Sequence, residues 1–345
     1  MPPAGPFPFI EACFRRPAPF TPIWLMRQAG RYMAEYRAMR ARFGFLELCK
    51  TPEAAAEVTL QPVARLGVDA AILFADILLV LEPLGVGLEF TRGDGPRIGR
   101  PVRSAAAARA LGPVVAEDAL GFVFDTVARV RKALADRVPL IGFAGAPFTL
   151  ASYLVEGGPS RDFLLTKRFM RAEPEAWAAM MTTLADLTAD YLNGQIGAGA
   201  QAVQLFDSWV GTLSPDDYRR YVQPYSSRAI GKLRPGVPVI HFGVGTAGLL
   251  PLMKAAGGDV IGLDWRVDLG AAWAELGHDV AVQGNLDPAV LLSSVAEIRR
   301  AASQILDAAA GRPGHVFNLG HGIHQETPVD HVAALVDIVH ELSSR

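Results

Sequence analysis

Arg27, Arg31, Arg37, Arg40 and Arg42 fall within sixteen residues that hold one acid, Glu35. They belong to Pro22–Arg42, PIWLMRQAGRYMAEYRAMRAR. Its apolar run Ile23-Trp24-Leu25-Met26 has strand character, and after a break at Arg27–Arg31 the spacing becomes helical. In a chain of 345 residues with a net charge of −2 this is a concentrated cationic spot. A guanidinium stays charged at any biological pH and meets a carboxylate or phosphate with two parallel bonds. Hydrophobic residues lead directly into Arg27 and Arg31, and Gly30 between them allows close backbone approach, which marks both as anion-binding candidates. Arg37, Arg40 and Arg42 fit a solvated helical turn equally well.

Asp76 is the second chemical signal. It stands in AAILFADILLVL with aliphatic residues on both sides. An ionised carboxylate buried without partners costs several kcal/mol or shifts its pKa upward. It reads either as a helix N-cap at the end of a strand or as an acceptor waiting for a ligand's donors. Further along, Gly145-Ala146-Pro147 would let a ligand lie against backbone, with Tyr153 projecting from the helix that follows. Asp207-Ser208-Trp209 ends another strand; no GxSxG elbow surrounds Ser208, so it is a hydrogen-bonding group and not a nucleophile.

Other patterns carry less. Gly243-x-Gly245-x-x-Gly248 matches a dinucleotide fingerprint by letter but lacks the acid about twenty residues on, after a second strand. His321-Gly322-Ile323-His324 lacks helical spacing and nearby cysteine, so no metal is expected there; His321, between two glycines after a strand, is a ligand contact instead. None of the five lysines falls at a strand end, which argues against Schiff-base and pyridoxal chemistry.

Half of the residues are hydrophobic and a fifth charged, enough for a large core and no global field for nucleic acid or an anionic membrane. The longest apolar stretch, Ala70–Leu81, is too short to span a bilayer and is broken by Asp76. The start, MPPAGPFPFIEACF, lacks the character of a secretory signal, and Cys13 and Cys49 offer no disulfide framework. A cytoplasmic protein is expected.

These side chains need elements to position them. Eight strands are expected, at Ile23–Met26, Ala70–Phe74, Pro139–Phe143, Ala202–Phe206, Val237–Phe242, Val260–Leu263, Val280–Gln283 and His315–Leu319. Helices are expected at Pro52–Leu66, Glu117–Ala135, Glu173–Ile196, Pro215–Leu233, Leu249–Ala256, Pro288–Ala309 and Pro328–Leu342. Thr51, Ser214, Asp287 and Thr327 stand as N-caps before prolines. Glu89–Arg103, with Gly93-Asp94-Gly95-Pro96, reads as a turn-rich excursion. Eight units without a low-complexity linker predict an α/β fold, a single (β/α)8 TIM-type barrel domain over residues 1–345. Its active site would lie at the C-terminal rim, where Arg27, Asp76, Gly145, Asp207-Ser208, Gly243, Asp264-Trp265, Gly284-Asn285 and Gly320-His321 follow the strands.

PIWLMRQAGRY, LFADIL, GFAGAPFTLASYLVEGG, QLFDSWVG, GLDW, QGNLDP and FNLGHGI together, in this order, resemble the uroporphyrinogen decarboxylases over Pro22 to His340. The resemblance implies a single (β/α)8 barrel, usually a homodimer with facing clefts, using no metal or organic cofactor. It implies conversion of the four acetate side chains of uroporphyrinogen to methyls. Carried over residue by residue, the substrate-binding arginines match Arg27 and Arg31, and Arg40 matches a further conformational or carboxylate contact. The central aspartate matches Asp76, the tyrosine Tyr153, the serine Ser208 and the histidine His321. Arg27, Tyr153, His321 and a bound water all remain open as proton donor. A cobalamin- and zinc-dependent methyltransferase of the same barrel superfamily, or a tetrapyrrole-binding protein without catalysis, are the rival readings.

Overall fold

The computed structural model describes residues 7–91 and 95–345. Its strands are β1 (Ala71–Ile72), the antiparallel pair β2 (Leu88–Thr91) and β3 (Gly95–Ile98), β4 (Leu140–Gly145), β5 (Ala202–Asp207), β6 (Val239–Gly243), β7 (Val260–Gly262), β8 (Ala281–Gln283) and β9 (His315–Val316). Seven of these form one curled parallel sheet in the order β1-β4-β5-β6-β7-β8-β9. The Glu89–Arg103 excursion contains the β2–β3 pair; Gly93 and Asp94 of its expected turn lie outside the described residues.

The eighth expected strand, Ile23–Met26, corrects to a single bridge. Ile23 pairs with Phe317, the Phe317 N–H donates to the Pro22 carbonyl at 2.8 Å, and the Asp69 N–H donates to the Ile23 carbonyl at 2.8 Å. The segment touches the ends of the sheet on both sides but turns away at Met26, because Asn318 and Gln28 take over the backbone bonds there. For a related reason β9 stops at Val316 rather than Leu319: Asn318 spends its side chain on Met26 and Leu319.

The strands β4 to β8 are buried on both sides, and successive side chains alternate between the two. Ala202 joins Ile141, Ile240, Phe242, Val260, Ala281, Val316 and Trp24 inside the curl, with Phe9 and Cys13 of helix Pro8–Cys13 packed into the same cluster. Val203 and Leu205 face outward into the layer of helices. One polar line runs through the interior and ends at Gln204, whose Nε2 makes no hydrogen bond. Trp24 Nε1 donates to Gln283 at 2.9 Å and Gln283 Nε2 donates to Gln204 at 3.1 Å. Each large apolar side chain so enclosed contributes on the order of 1.5–3 kcal/mol.

Helices Pro52–Leu66, Ala116–Leu134 and Pro174–Ala198 sit where the spacing places them. Pro215–Leu233 divides at Val222 into Pro215–Tyr221 and Gln223–Gly231, since Val222 has a non-helical φ of −126° and Pro224 cannot donate back. Pro288–Ala309 likewise divides: Asp287 caps a short 3-10 turn at Pro288–Leu292, and Ser294 caps Val295–Ala309. Ser214 caps as expected, donating no proton but accepting from the Asp217 N–H. Thr51 precedes its helix without capping it, because its hydroxyl already bonds the Glu47 carbonyl. Thr327 is displaced from the cap by Pro328. Among the described residues no helix is long and apolar enough to cross a membrane, and no three His, Cys, Asp or Glu side chains are grouped as metal ligands.

Candidate active site

Arg27 follows the Ile23 bridge and sits in the left-handed region at φ +63°. Its neighbours are clamped. Gln28 is fully buried, accepting from the Leu25 N–H at 3.1 Å and donating to the Ala70 carbonyl at 3.1 Å. Tyr32 Oη donates to the Gln28 carbonyl at 2.6 Å. The Arg27 side chain runs over Gly322 so closely that a Cβ there would lie 2.4 Å from Arg27 Cδ. No hydrogen bond or ion pair to another described residue engages its exposed guanidinium.

Asp76 follows β1 by four residues. Oδ1 accepts the Leu78 N–H at 2.9 Å, and the Asp76 carbonyl accepts the Leu79 N–H at 3.2 Å, opening the 3-10 turn Leu79–Leu84. The cap reading holds for one oxygen, which caps a turn; Oδ2 meets no protein donor among the described residues. The carboxyl keeps some solvent contact yet is crowded by protein. Burial pushes its pKa up to about 6 against the opposing Leu78 hydrogen bond and the positive charge of Arg27.

Tyr153 lies on helix Pro147–Glu156 with only its edge exposed, its ring T-shaped against Trp209 at 5.9 Å. Burial, followed by the Asp76 charge, pushes its phenol up to about 12, so it remains a neutral donor. The charges of Asp76 and Arg27 both act on Tyr153, and Arg27 acts on His321. Arg27, Asp76, Tyr153 and His321 thus lie near enough for these charges to be felt between them. Desolvation first, then the charges of Arg27 and His324, lower the His321 pKa and favour the neutral imidazole. Ser208 is partly exposed beside Trp209, with no hydrogen bond to another described residue. Arg31 is exposed at the mouth, reaching Gln325 only at 3.5 Å. Arg40 is committed elsewhere: it donates to the Phe43 carbonyl at 2.8 Å and lies over the Phe45 ring at 5.3 Å. Arg37 is likewise spent on the Arg31 and Tyr32 carbonyls.

Several rim residues prove to be scaffold. Asp264 accepts from the Gly245 N–H, from the Arg266 N–H at 2.8 Å and from the Arg266 guanidinium at 3.3 Å. Asp207 is fully buried; Oδ1 accepts from Thr149 at 3.2 Å, and Oδ2 lies 3.8 Å from the buried His241 Nε2 without a hydrogen bond. Asn285 donates to the Asp264 and Val267 carbonyls. Sequence reasoning missed Gln28, Asn318 and Gly322, which shape the Arg27 turn; their only signal was their place within QAGRY and FNLGHGI. It also missed Arg266, whose charge reaches His321.

The curled parallel sheet, with these side chains following the carboxyl ends of its strands, places the chain in a known architectural class. A methyltransferase from Methanosarcina mazei superposes with a TM-score of 0.80 at 20% identity over 96% of this chain and 97% of its own. A putative vitamin-B12-independent methionine synthase from Listeria monocytogenes superposes at 0.61, with 12% identity over 95% of this chain and 98% of its own. At such identities the likeness concerns the fold. Sequence comparison is more specific. The uroporphyrinogen decarboxylase family description matches residues 7–342. Proteins named uroporphyrinogen decarboxylase from Carboxydothermus hydrogenoformans and Sorangium cellulosum are 56% and 57% identical, each over 97% of this chain and 96% of the relative. The chain belongs to the uroporphyrinogen decarboxylase family.

Proposed function

We propose that this chain is a carboxy-lyase of tetrapyrrole biosynthesis that removes the four acetate carboxyls of uroporphyrinogen III, leaving methyls and giving coproporphyrinogen III. The observation that carries this reading is Asp76 Oδ2, a carboxylate oxygen without a donor among the described residues, within reach of the charge of an Arg27 guanidinium that has no acceptor among them. A porphyrinogen presents pyrrole N–H donors at its centre and carboxylates at its edge, so it complements both. Asp76 accepts the inner N–H groups; Arg27 and Arg31 hold acid side chains; Tyr153, Ser208 and His321 supply further hydrogen bonds. Arg40, half-buried on the Phe43 carbonyl, holds the helix that follows Arg31 and is the conformational member of the set.

Chemistry requires an electron sink. A proton added to the pyrrole carbon beside the acetate-bearing carbon makes a cationic ring. The electron pair of the breaking C–CO2 bond enters that ring, the exocyclic methylene takes a proton to become methyl, and the first proton leaves. The net change per arm is one carboxylate and one proton converted to methyl and carbon dioxide. Ionised Asp76 stabilises the cation in a site with little water, a preorganised electrostatic contribution. At pH 7 a carboxyl of pKa about 6 is mainly ionised, as this role demands.

The remaining expectations belong to the same reading: one (β/α)8 barrel domain across residues 1–345, acting as a cytoplasmic homodimer on a small-molecule substrate, without metal or organic cofactor. Neither nucleic acid nor membrane is a partner. Anaerobic incubation of the purified protein with uroporphyrinogen, followed by product analysis, is the test. Methylated products with matching carbon dioxide support the reading; bound, unchanged substrate refutes it in favour of a binding protein. Dependence of turnover on added zinc and a methyl donor would favour the methyltransferase.

A further inference from the structure

Arg27 holds its place without help from any bond at its tip, so something must define it from the backbone. Its left-handed φ of +63° is a conformation that costs a non-glycine residue about 1–3 kcal/mol and persists only where the surroundings over-determine it. The determinant on one side is Gln28. On the other is Asn318, fully buried between β9 and His321. Asn318 Oδ1 accepts the Met26 N–H at 3.0 Å and the Leu319 N–H at 2.8 Å. The Met26 carbonyl in turn accepts the Ile323 N–H at 3.0 Å. Both polar groups of the residue before Arg27 are therefore held by the 318–323 segment, which also carries His321 and the Gly322 surface under the Arg27 side chain. Asn318 Nδ2 makes no bond, so the side chain serves here purely as an acceptor.

We infer that Asn318 is a positioning residue for Arg27: its carbonyl oxygen joins the Arg27 turn to the His321 loop and sets where the guanidinium meets a substrate carboxylate. The inference rests on the reading of Arg27 as a substrate-binding residue.

Its test is a double-mutant cycle with crystallography. Asn318→Ala should lower kcat/KM roughly 100-fold, the scale expected of a displacement near 1 Å. Asn318→Asp keeps the accepting oxygen and should recover most of that loss. In an Arg27→Ala background, Asn318→Ala should change kcat/KM by less than about 2-fold, since residues acting through one another do not add. Independent, multiplying losses would overturn the inference and leave Asn318 a general structural residue. The crystal structure of Asn318→Ala should show Arg27 outside the left-handed region with its guanidinium displaced; an unmoved Arg27 overturns the inference whatever the substrate. If that variant does not fold, Asn318→Ser, whose hydroxyl is too short to reach both N–H groups, replaces it. Inactivity of the unmodified protein toward uroporphyrinogen would strike at the proposed reaction instead, while the crystallographic comparison still decides the role of Asn318.

Discussion

Asp76→Asn separates what the carboxylate costs the fold from what it does for the reaction. The side chain keeps its shape, and the amide oxygen can still accept the Leu78 N–H; only the charge goes. Burial raises the carboxyl from 3.8 to about 6 in the folded chain, a shift worth about 3 kcal/mol at most. The sign is that of an acid whose folded pKa lies above its unfolded one. Below the unfolded value both states are protonated and the carboxyl costs nothing. Between 3.8 and about 6 the folded state binds the extra proton, so stability falls as pH rises; above that it has lost the whole amount. Asp76→Asn should therefore unfold at higher urea than the unmodified protein at pH 7.5, by up to about 3 kcal/mol, with the advantage fading to nothing near pH 4. The same variant should lose at least about 1,000-fold in turnover, the scale of a single preorganised electrostatic group. Urea titrations at several pH values and anaerobic turnover measure both. A variant no more stable at pH 7.5, or one turning over within tenfold of the unmodified enzyme, would refute the reasoning.

Three further expectations follow from the same geometry. The kcat/KM profile of the unmodified enzyme should fall on the acid side with a pKa near 6, since protonated Asp76 cannot stabilise a cation; a flat profile from pH 5 to 7 removes Asp76 from that role. Gly322→Ala should leave the thermal midpoint nearly unchanged, because the atom it strikes is a flexible arginine methylene, while lowering kcat/KM roughly tenfold or more by pushing Arg27 aside; unaltered kinetics would mean that Arg27 does not work from that position. Burial opposes protonation of His340, but its bond to Asp69 Oδ2 at 2.8 Å and the Asp69 charge prevail and raise its pKa. The stability from this pair is full below the free histidine value of 6.5 and is lost as pH rises through the higher folded value. His340→Ala should thus destabilise at pH 6 and change little at pH 9, and equal losses at both would refute the pairing.

The parts of this fold that were legible in the sequence are those whose signal is local. Val203 and Leu205 alternate with Ala202 and Gln204 as a buried strand must, and Pro174–Ala198 is long enough to declare itself. Boundaries failed where a side chain captured a backbone bond. Ile23–Met26 looks like a strand, but Gln28 and Asn318, distant in sequence from one another, divert it. Rim residues were found by type, yet type does not tell a free carboxylate from a satisfied one. Asp76, Asp207 and Asp264 all follow strands, and only their partners distinguish them. Asp264 is filled by Gly245 and Arg266; Asp207 accepts from Thr149 on one oxygen and leaves Oδ2 unbonded, fully buried and 3.8 Å from His241 Nε2; Asp76 leaves Oδ2 open on a side chain that is only partly buried. Context in the sequence set Arg27 and Arg31 apart from Arg37, Arg40 and Arg42; what it did not hold are the carbonyls that occupy Arg37 and Arg40.

The open groups also explain one another. Arg27 and Asp76 are close enough for the arginine's charge to depress the aspartate's pKa, and still the aspartate stands above its ordinary value. A direct ion pair would have reversed that balance, as charge-assisted bonds to a carboxylate do. The fold withholds the pair: Gly322 receives the Arg27 side chain along its length, and Leu78 takes the one Asp76 oxygen nearest the chain. Both charges are thereby left unspent, and the proposed function gives them a ligand that carries acids outside and N–H donors inside. When such a ligand binds, its donors do for Asp76 what Arg27 does not, and the carboxyl pKa must fall. Binding then releases a proton near pH 6, so the protein's own desolvation cost becomes a source of affinity that strengthens as pH rises through that value.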